Sequence, residues 1–275
     1  MIRSAVTISL VEQARSGPFV FHGDLAGSCR AAAEIGYHAV EIFAPVADTV
    51  PAAELRGLLK ETGLQVAAVG TGAGWLIHKL SLTSPDESVR RHAIQFIQSM
   101  IDFGGPYGAS AIIGSMQGRH GEGVMPEQAR DWLRLALDEL GEEARRYNVP
   151  LIYEPLNRYE TNLVNTQAAG VELLQSLTTD NVRLLADLFH MHIEETDVAA
   201  GLLAGGRFIG HVHFVDSNRR PAGCGHMAYG PMVSALREIG YSGYVSAEAF
   251  PWPDSRLAAE QTQRAYRYWF DTPTE

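Results

Sequence analysis

The amino-acid sequence predicts an α/β protein, a single (β/α)8 TIM barrel spanning residues 1–275. Three observations lead there. Short β-branched, apolar runs alternate with longer helical patterns, eight of each. A strand that returns through a helix pairs parallel, and eight is the number that closes a parallel barrel, usually in roughly 250 residues. The stretch after the first run, "VEQARSGPFVFHGD", also lacks the GxGxxG expected there in an open doubly wound sheet.

The elements follow in order. "AVTISL" (5–10) is the first strand, and "LAGSCRAAAEIG" is a helix stopping on Gly36. "HAVEIF" (38–43) precedes "PAAELRGLLKETG", which opens on proline and ends on Gly63, the asymmetry of a helix. "LQVAAV" (64–69) comes before "SPDESVRRHAIQFIQSMIDFG", with Ser84 as its expected N-cap, Pro85 at the first position and Glu87 three on from the cap. "SAIIGS" (110–115) leads into the longest helix, "MPEQARDWLRLALDELGEEARRYN". "VPLIYE" (149–154) is followed by "TQAAGVELLQSL", and "VRLLAD" (182–187) by a short helix near 195–204. His192, Glu194 and Glu195 are expected at the start of that helix, where acids suit the positive helix end. "FIGHVHF" (208–214), "GPMVSALREIG", "GYVSAE" (243–248) and "DSRLAAEQTQRAYRYWF" complete the alternation. The aromatic end of the last helix is expected to pack on the barrel.

Composition narrows the function classes. The chain is 46% hydrophobic, enough for a sizeable core, and its net charge of -10 argues against a nucleic-acid partner. Cys29 and Cys224 show no CxxC spacing and read as a buried or loop thiol each. No signal peptide or membrane-spanning run is visible, so a cytoplasmic protein with no membrane association is the expectation. Lys60 and Lys79 are the sole lysines. Neither is placed for Schiff-base chemistry, which needs a buried one.

In a parallel barrel, chemistry sits at the carboxyl ends of the strands. The first four strands end weakly polar, at Ser9, Glu41, Gly70 and Gly114. The last four end in Glu154, Asp187, His213 and Glu248. Three carboxylates at close quarters repel, and one imidazole cannot neutralise them. A divalent cation can, and one nitrogen with three oxygens suits Mn2+ first, then Co2+ or Mg2+. His211 lies one layer deeper on the same strand and reads as a hydrogen-bonded core histidine. Glu154 and Glu248 could also move protons on either side of a substrate carbon. Such a pair would make an epimerase, or an aldose–ketose isomerase, working through an enediolate.

These residues carry a resemblance. "YEPLNRYETNLVNT" (153–166), "DLFHMHIEE" (187–195), "HVHFVDSNRRPAGCGH" (211–226), "GYVSAEAF" (243–250) and "KLSLTSPDESVRRHAI" (79–94) resemble segments of the xylose-isomerase-like barrel superfamily. Within it the chain looks most like the ketose 3-epimerases of the D-tagatose/D-psicose group. The resemblance implies metal ligation by Glu154, Asp187, His213 and Glu248, with Glu154 and Glu248 as the catalytic pair. It implies Glu160, His190 and Arg219 as contacts to a small-molecule sugar substrate, and assembly as a homodimer or homotetramer. His226 and the stretch "VAAVGTGAGW" (66–75) depart from the family pattern.

Other functions use the same ligand set: inosose dehydratases and isomerases, and hydroxypyruvate isomerase. A DNA-repair phosphodiesterase of the endonuclease IV type is a further alternative. It would need histidines at the ends of strands three and four, where this chain reads "AVGTG" and "IGSMQG". A non-catalytic sugar-binding barrel is the third reading.

Overall fold

Strand β1 (Arg3–Ser9) is buried over its last six residues, as a strand covered on both faces of a parallel sheet must be. In this computed structural model, which describes residues 1–271, it is the strand that closes the barrel. The last four residues of the expected domain lie outside the described residues.

The remaining strands are β2 (Phe21–His22), β3 (Ala39–Phe43), β4 (Gln65–Gly70), β5 (Ser110–Ile113), β6 (Leu151–Tyr153), β7 (Val182–Asp187), β8 (Ile209–His213) and β9 (Tyr244–Ala247). All pairings between them are parallel, in the order β1-β3-β4-β5-β6-β7-β8-β9, and β9 returns to β1 through Arg3↔Tyr244 to Val6↔Ala247. That is the predicted eight-stranded barrel. The short β2 was not expected; it pairs with Ile8 and Ser9 of β1, beyond the point where β9 stops.

The helices are α1 (Leu25–Ile35), α2 (Ala52–Thr62), α3 (Ala73–His78), α4 (Glu87–Gly104), α5 (Pro126–Arg145), α6 (Gln167–Gln175), α7 (Leu188–Glu194), α8 (Val198–Gly205), α9 (Tyr229–Glu238) and α10 (Ser255–Tyr266). The main core lies between strands and helices, where Val40, Ile42, Leu55, Ile97, Leu133 and Leu137 are buried together. A smaller layer of Ala68, Ile112, Ile152 and Leu185 fills the barrel itself. As expected, the C-terminal aromatics other than the exposed Tyr268 pack on the barrel: Tyr266 is buried and its hydroxyl donates to Ile2 O at 2.9 Å, with Trp269 and Phe270 partly buried beside it.

Three local expectations need correction. The N-cap of α4 is Asp86, whose carboxylate accepts from Ser88 N at 2.7 Å; Ser84 instead accepts from Asp86 N and shapes the preceding turn. No helix was expected at 73–78, between the third strand and the helix opening near Ser84, where Ala73–His78 form a short one. Finally, α7 begins directly after β7, so Glu194 lies in its last turn rather than at a helix start. Glu194 is held there by Arg158 at 2.9 Å, while Glu195 accepts from Gln167 N at 2.8 Å and so serves the positive end of α6.

Candidate active site

Asp187 ends β7 and caps α7 at once. Its Oδ1 accepts from Phe189 N at 2.7 Å and His190 N at 3.2 Å, satisfying two amides at the helix start. That leaves Oδ2 aimed at the barrel mouth, 3.1 Å from Nδ1 of His213, the last residue of β8. Glu154 and Glu248 each stand one residue past their strands. Their nearest carboxylate oxygens lie 3.7 and 3.4 Å from the same nitrogen. One ring nitrogen therefore has an oxygen of each of three carboxylates within 3.7 Å. All four side chains are buried or nearly so.

Glu154 is held from behind. Its N–H donates to Ile113 O at 3.0 Å, and Gln117 Nε2 donates to its carbonyl at 2.9 Å. Tyr153 in turn donates to Gln117 Oε1 at 2.5 Å. Gly114 leaves room for the carboxylate, since a Cβ there would lie 2.5 Å from Glu154 Oε2.

Arg219 enters from the loop after β8. Its Nη2 donates to Glu248 Oε2 at 2.5 Å and lies 3.6 Å from Asp187 Oδ2, and its Nη1 is 3.7 Å from Glu160 Oε1. Asp216 organises that loop by accepting from the amides of Ser217, Gly223 and Met227. His190, on α7, lies 3.8 Å from both Glu154 and Asp187, and its Nδ1 accepts from Asn157 Nδ2 at 2.7 Å. Asn157 also donates to Glu160 Oε1 at 3.0 Å.

These side chains line a cavity of ≈ 360 Å³. Its other half is apolar: Phe19 stacks on Phe43 with centroids 4.6 Å apart, and Trp75, Leu76 and Ile112 continue the wall. Gly70 makes this wall fit, because a Cβ there would come within 2.8 Å of the Phe43 ring. The unassigned glycines of "VAAVGTGAGW" thus make room for an aromatic side of the site.

The charges are strongly coupled. Burial pushes the Glu154 carboxyl well above its ordinary range, and the charges of Glu248 and Asp187 add to this. Burial opposes ionisation of Asp187 too, but the charges of His190, Arg219 and His213 together outweigh it and hold its carboxyl low. Glu248 is likewise kept below the usual range, with His213 and Arg219 overcoming burial. The surrounding acids, Glu248 and Glu41 foremost, raise the His213 imidazole well above its usual value despite its burial.

The chemistry of the donor set fits a divalent ion. Ligands at right angles around an ion bonded at about 2.1 Å are roughly 3 Å apart, close to the spacings at His213 Nδ1. Asp187, His213 and Glu248 could hold a metal together, with Glu154 beside them. The sequence of residues 29–268 matches the family described as the xylose isomerase-like TIM barrel.

The chain belongs to that family. A probable ketose 3-epimerase of Synechocystis sp. is 30% identical over 228 residues, covering 81% of this chain and 77% of the relative. A D-psicose 3-epimerase of Ruminiclostridium cellulolyticum is 28% identical over 225 residues, covering 79% and 75%. The crystal structure of the D-allulose 3-epimerase of Methylomonas sp. in complex with D-allulose superimposes with a TM-score of 0.82, at 23% identity, covering 98% of this chain and 97% of that one.

Within this family barrel, all seven residues singled out from the sequence line or adjoin one cavity. Glu154, Glu160, His190, His213, Arg219 and Glu248 line it, and Asp187 touches His213 at its floor. Two groups were missed. Glu41, read as weakly polar, is buried and lies 2.9 Å from His211 Nε2 and 3.3 Å from His213 Nε2. A carboxylate inside the apolar run "AVEIF" carried the same signal as Asp187 in "LLADLF". His211 is, as expected, a hydrogen-bonded interior histidine. Gln117, fully buried, was hidden in a stretch read as strand end and loop. His226 stays outside the cavity, against Ser217 and the ring of His192, and Arg220 stacks on Trp252.

Proposed function

We propose that the protein is a divalent-metal-dependent ketose 3-epimerase acting by proton transfer. The observation that carries this reading is the convergence of Asp187, Glu248 and Glu154 on Nδ1 of His213. It is supported by the family to which the chain belongs and by relatives named as ketose 3-epimerases.

Glu154, Asp187, His213 and Glu248 would hold the ion, Mn2+ before Co2+ or Mg2+. Such an ion would polarise the ketose carbonyl and stabilise negative charge developing next to it. The protein's own groups do the rest. Glu248, hydrogen-bonded to Arg219, takes or returns a proton on one side of the carbon next to the carbonyl, and Glu154 serves the other. Arg219, His190 and Glu160 converge from the rim, where they can bind sugar hydroxyls and fix the reacting carbon between the two acids. The apolar wall of Phe19, Phe43 and Trp75 excludes water from that half.

The endonuclease IV reading has no support here: among the described residues the histidines of the cavity are His190 and His213, with none from β4 or β5.

The test is turnover in D2O with manganese-loaded protein and a panel of ketohexoses, ketopentoses and inososes, followed by NMR. Deuterium at C3 of a ketose, with appearance of its epimer, is the expected result. An unlabelled product, or none across the panel, defeats the proposal.

A further inference from the structure

A second cavity, larger than the first at ≈ 770 Å³, adjoins the reaction chamber and meets it at Trp75, Ser115 and Glu160. One ketose accounts for the inner chamber; nothing in the proposed chemistry uses the outer one. Its lining is unusual for a solvent cleft. Trp75 is 41% exposed, with Lys79 Nζ 5.5 Å from its ring centroid, and Tyr159 is 76% exposed; both line the same space. Aromatic side chains that line a concave space supply flat apolar surface on which a ligand can pack. Between them stand hydroxyl and amide groups, among them Ser84 and Asn162.

Charge decides what such a space accepts. Lys79 and Arg119 bring two positive groups and Glu122 and Glu160 two negative ones. A phosphate site would carry an excess of guanidinium and ammonium, and here the signs cancel. A neutral ligand with apolar faces and many hydroxyls matches the lining instead: a second sugar ring, its C–H face on an aromatic and its hydroxyls among mixed donors and acceptors. Glu160 sits at the junction. Its Oε1 is 3.7 Å from Arg219 in the inner site and receives the Asn157 amide, while its side chain is 42% exposed toward the opening. A hydroxyl or a glycosidic oxygen leaving the inner chamber passes this carboxylate.

We infer that the outer cavity is a glycosyl subsite, and that the substrate is a ketose carrying a second sugar ring at the end away from the reacting carbons. This rests on the epimerase reading and extends it. No new bond is made or broken: the added ring is held while the ketose end reacts.

The test uses ligands that share one reacting end. D-Fructose, isomaltulose (fructose with a glucosyl ring on O6), lactulose (fructose with a galactosyl ring on O4) and D-fructose 6-phosphate are titrated into manganese-loaded protein by calorimetry. Deuterium uptake at C3 is followed in parallel. Isomaltulose, whose added ring is on the far carbon, should bind about tenfold more tightly than fructose, and lactulose, whose ring sits beside C3, should gain less. Tyr159→Ala and Arg119→Ala, which alter the outer cavity alone, should erase that advantage and leave fructose binding and exchange unchanged. Equal binding of fructose and both disaccharides, preference for the phosphate, or an equal loss for all ligands in a folded Tyr159→Ala variant overturns the subsite. Exchange into fructose without any disaccharide gain overturns the subsite alone. Disaccharide binding without exchange into any ketose leaves the subsite standing and removes the epimerase reading.

Discussion

Oε1 of Glu41 stands 3.3 Å from Nε2 of His213, while the three rim carboxylates gather at the other ring nitrogen, Nδ1. An acid that accepts the Nε2 proton leaves the Nδ1 lone pair for an ion and makes it a better donor. Glu41→Gln should therefore weaken manganese binding by roughly 10–100-fold while leaving the circular-dichroism spectrum unchanged. Metal titration by calorimetry reads this, and an unaltered affinity would mean that Glu41 merely fills the barrel.

The two acids proposed for proton transfer can be separated from metal binding. Glu154→Gln and Glu248→Gln each keep one ligand oxygen but cannot carry a proton to and fro. Each should lower solvent exchange at C3 by roughly 10²–10⁴-fold with the fold intact. Near-normal exchange in either variant would remove that residue from the chemistry.

Gly114 tests positioning. A Cβ at this position would lie 2.5 Å from Glu154 Oε2, so Gly114→Ala must displace the carboxylate. A displacement near 1 Å costs up to about 10²-fold in rate. Turnover should fall sharply with little change in KM, and unchanged turnover would show that Glu154 has more freedom than its packing suggests.

Chelation should be felt as lost stability. Without an ion, Asp187, Glu154 and Glu248 crowd one imidazole, with Arg219 and His213 left to offset Asp187 and Glu248 and with burial pushing Glu154 toward its neutral form. At a manganese concentration one hundred times its dissociation constant, the bound state gains about 2.7 kcal/mol, or roughly 5–8 °C in melting temperature. Calorimetric melts with and without EDTA measure the difference, and coincident melts would argue that no ion binds the native state.

The loop that delivers Arg219 gives a pH signature. Asp216 is 1% exposed and accepts from three amides. Burial opposes its charge, but those amides outweigh burial and set its carboxyl below the ordinary 3.8. A depressed carboxyl stabilises above the unfolded value and loses that contribution as pH falls through the folded one. Wild-type stability should drop below about pH 4. Asp216→Asn, which cannot accept on both oxygens, should cost about 1–3 kcal/mol at neutral pH and flatten the acid limb. Denaturant melts across pH 2.5–7, a range set by that carboxylate's titration, would show parallel curves if Asp216 were indifferent.

Much of this was legible in the chain. Alternation of apolar runs with capped helices gave the barrel because each strand is buried on both faces and each helix needs one apolar stripe. The rim acids were legible because an acid ending an apolar run has few innocent explanations. Glu41 escaped because it was judged by strand end alone, one layer shallower than its true role. The Ser84 cap lost to Asp86 because two side chains two residues apart compete for the same amides, and the local turn chose between them. Helix α3 and the aromatic wall were opaque for a different reason. The glycines of "GTGAGW" make room for Phe43, about thirty residues before them, and for Met116, about forty after, partners that no local pattern announces.

One half of the mouth is charged and the other is hydrocarbon. If a sugar binds as proposed, the charged half would fix which end is held, through directional bonds. The largely apolar half offers few hydrogen-bonding groups, Gln13, Ser16, Thr71 and Ser115 among them, and an apolar surface turns away an extra methylene or hydroxyl by only about 1–3 kcal/mol. For the epimerase proposed above, the consequence would be closer discrimination at the carbons held by the charged half than at those lying against the apolar wall.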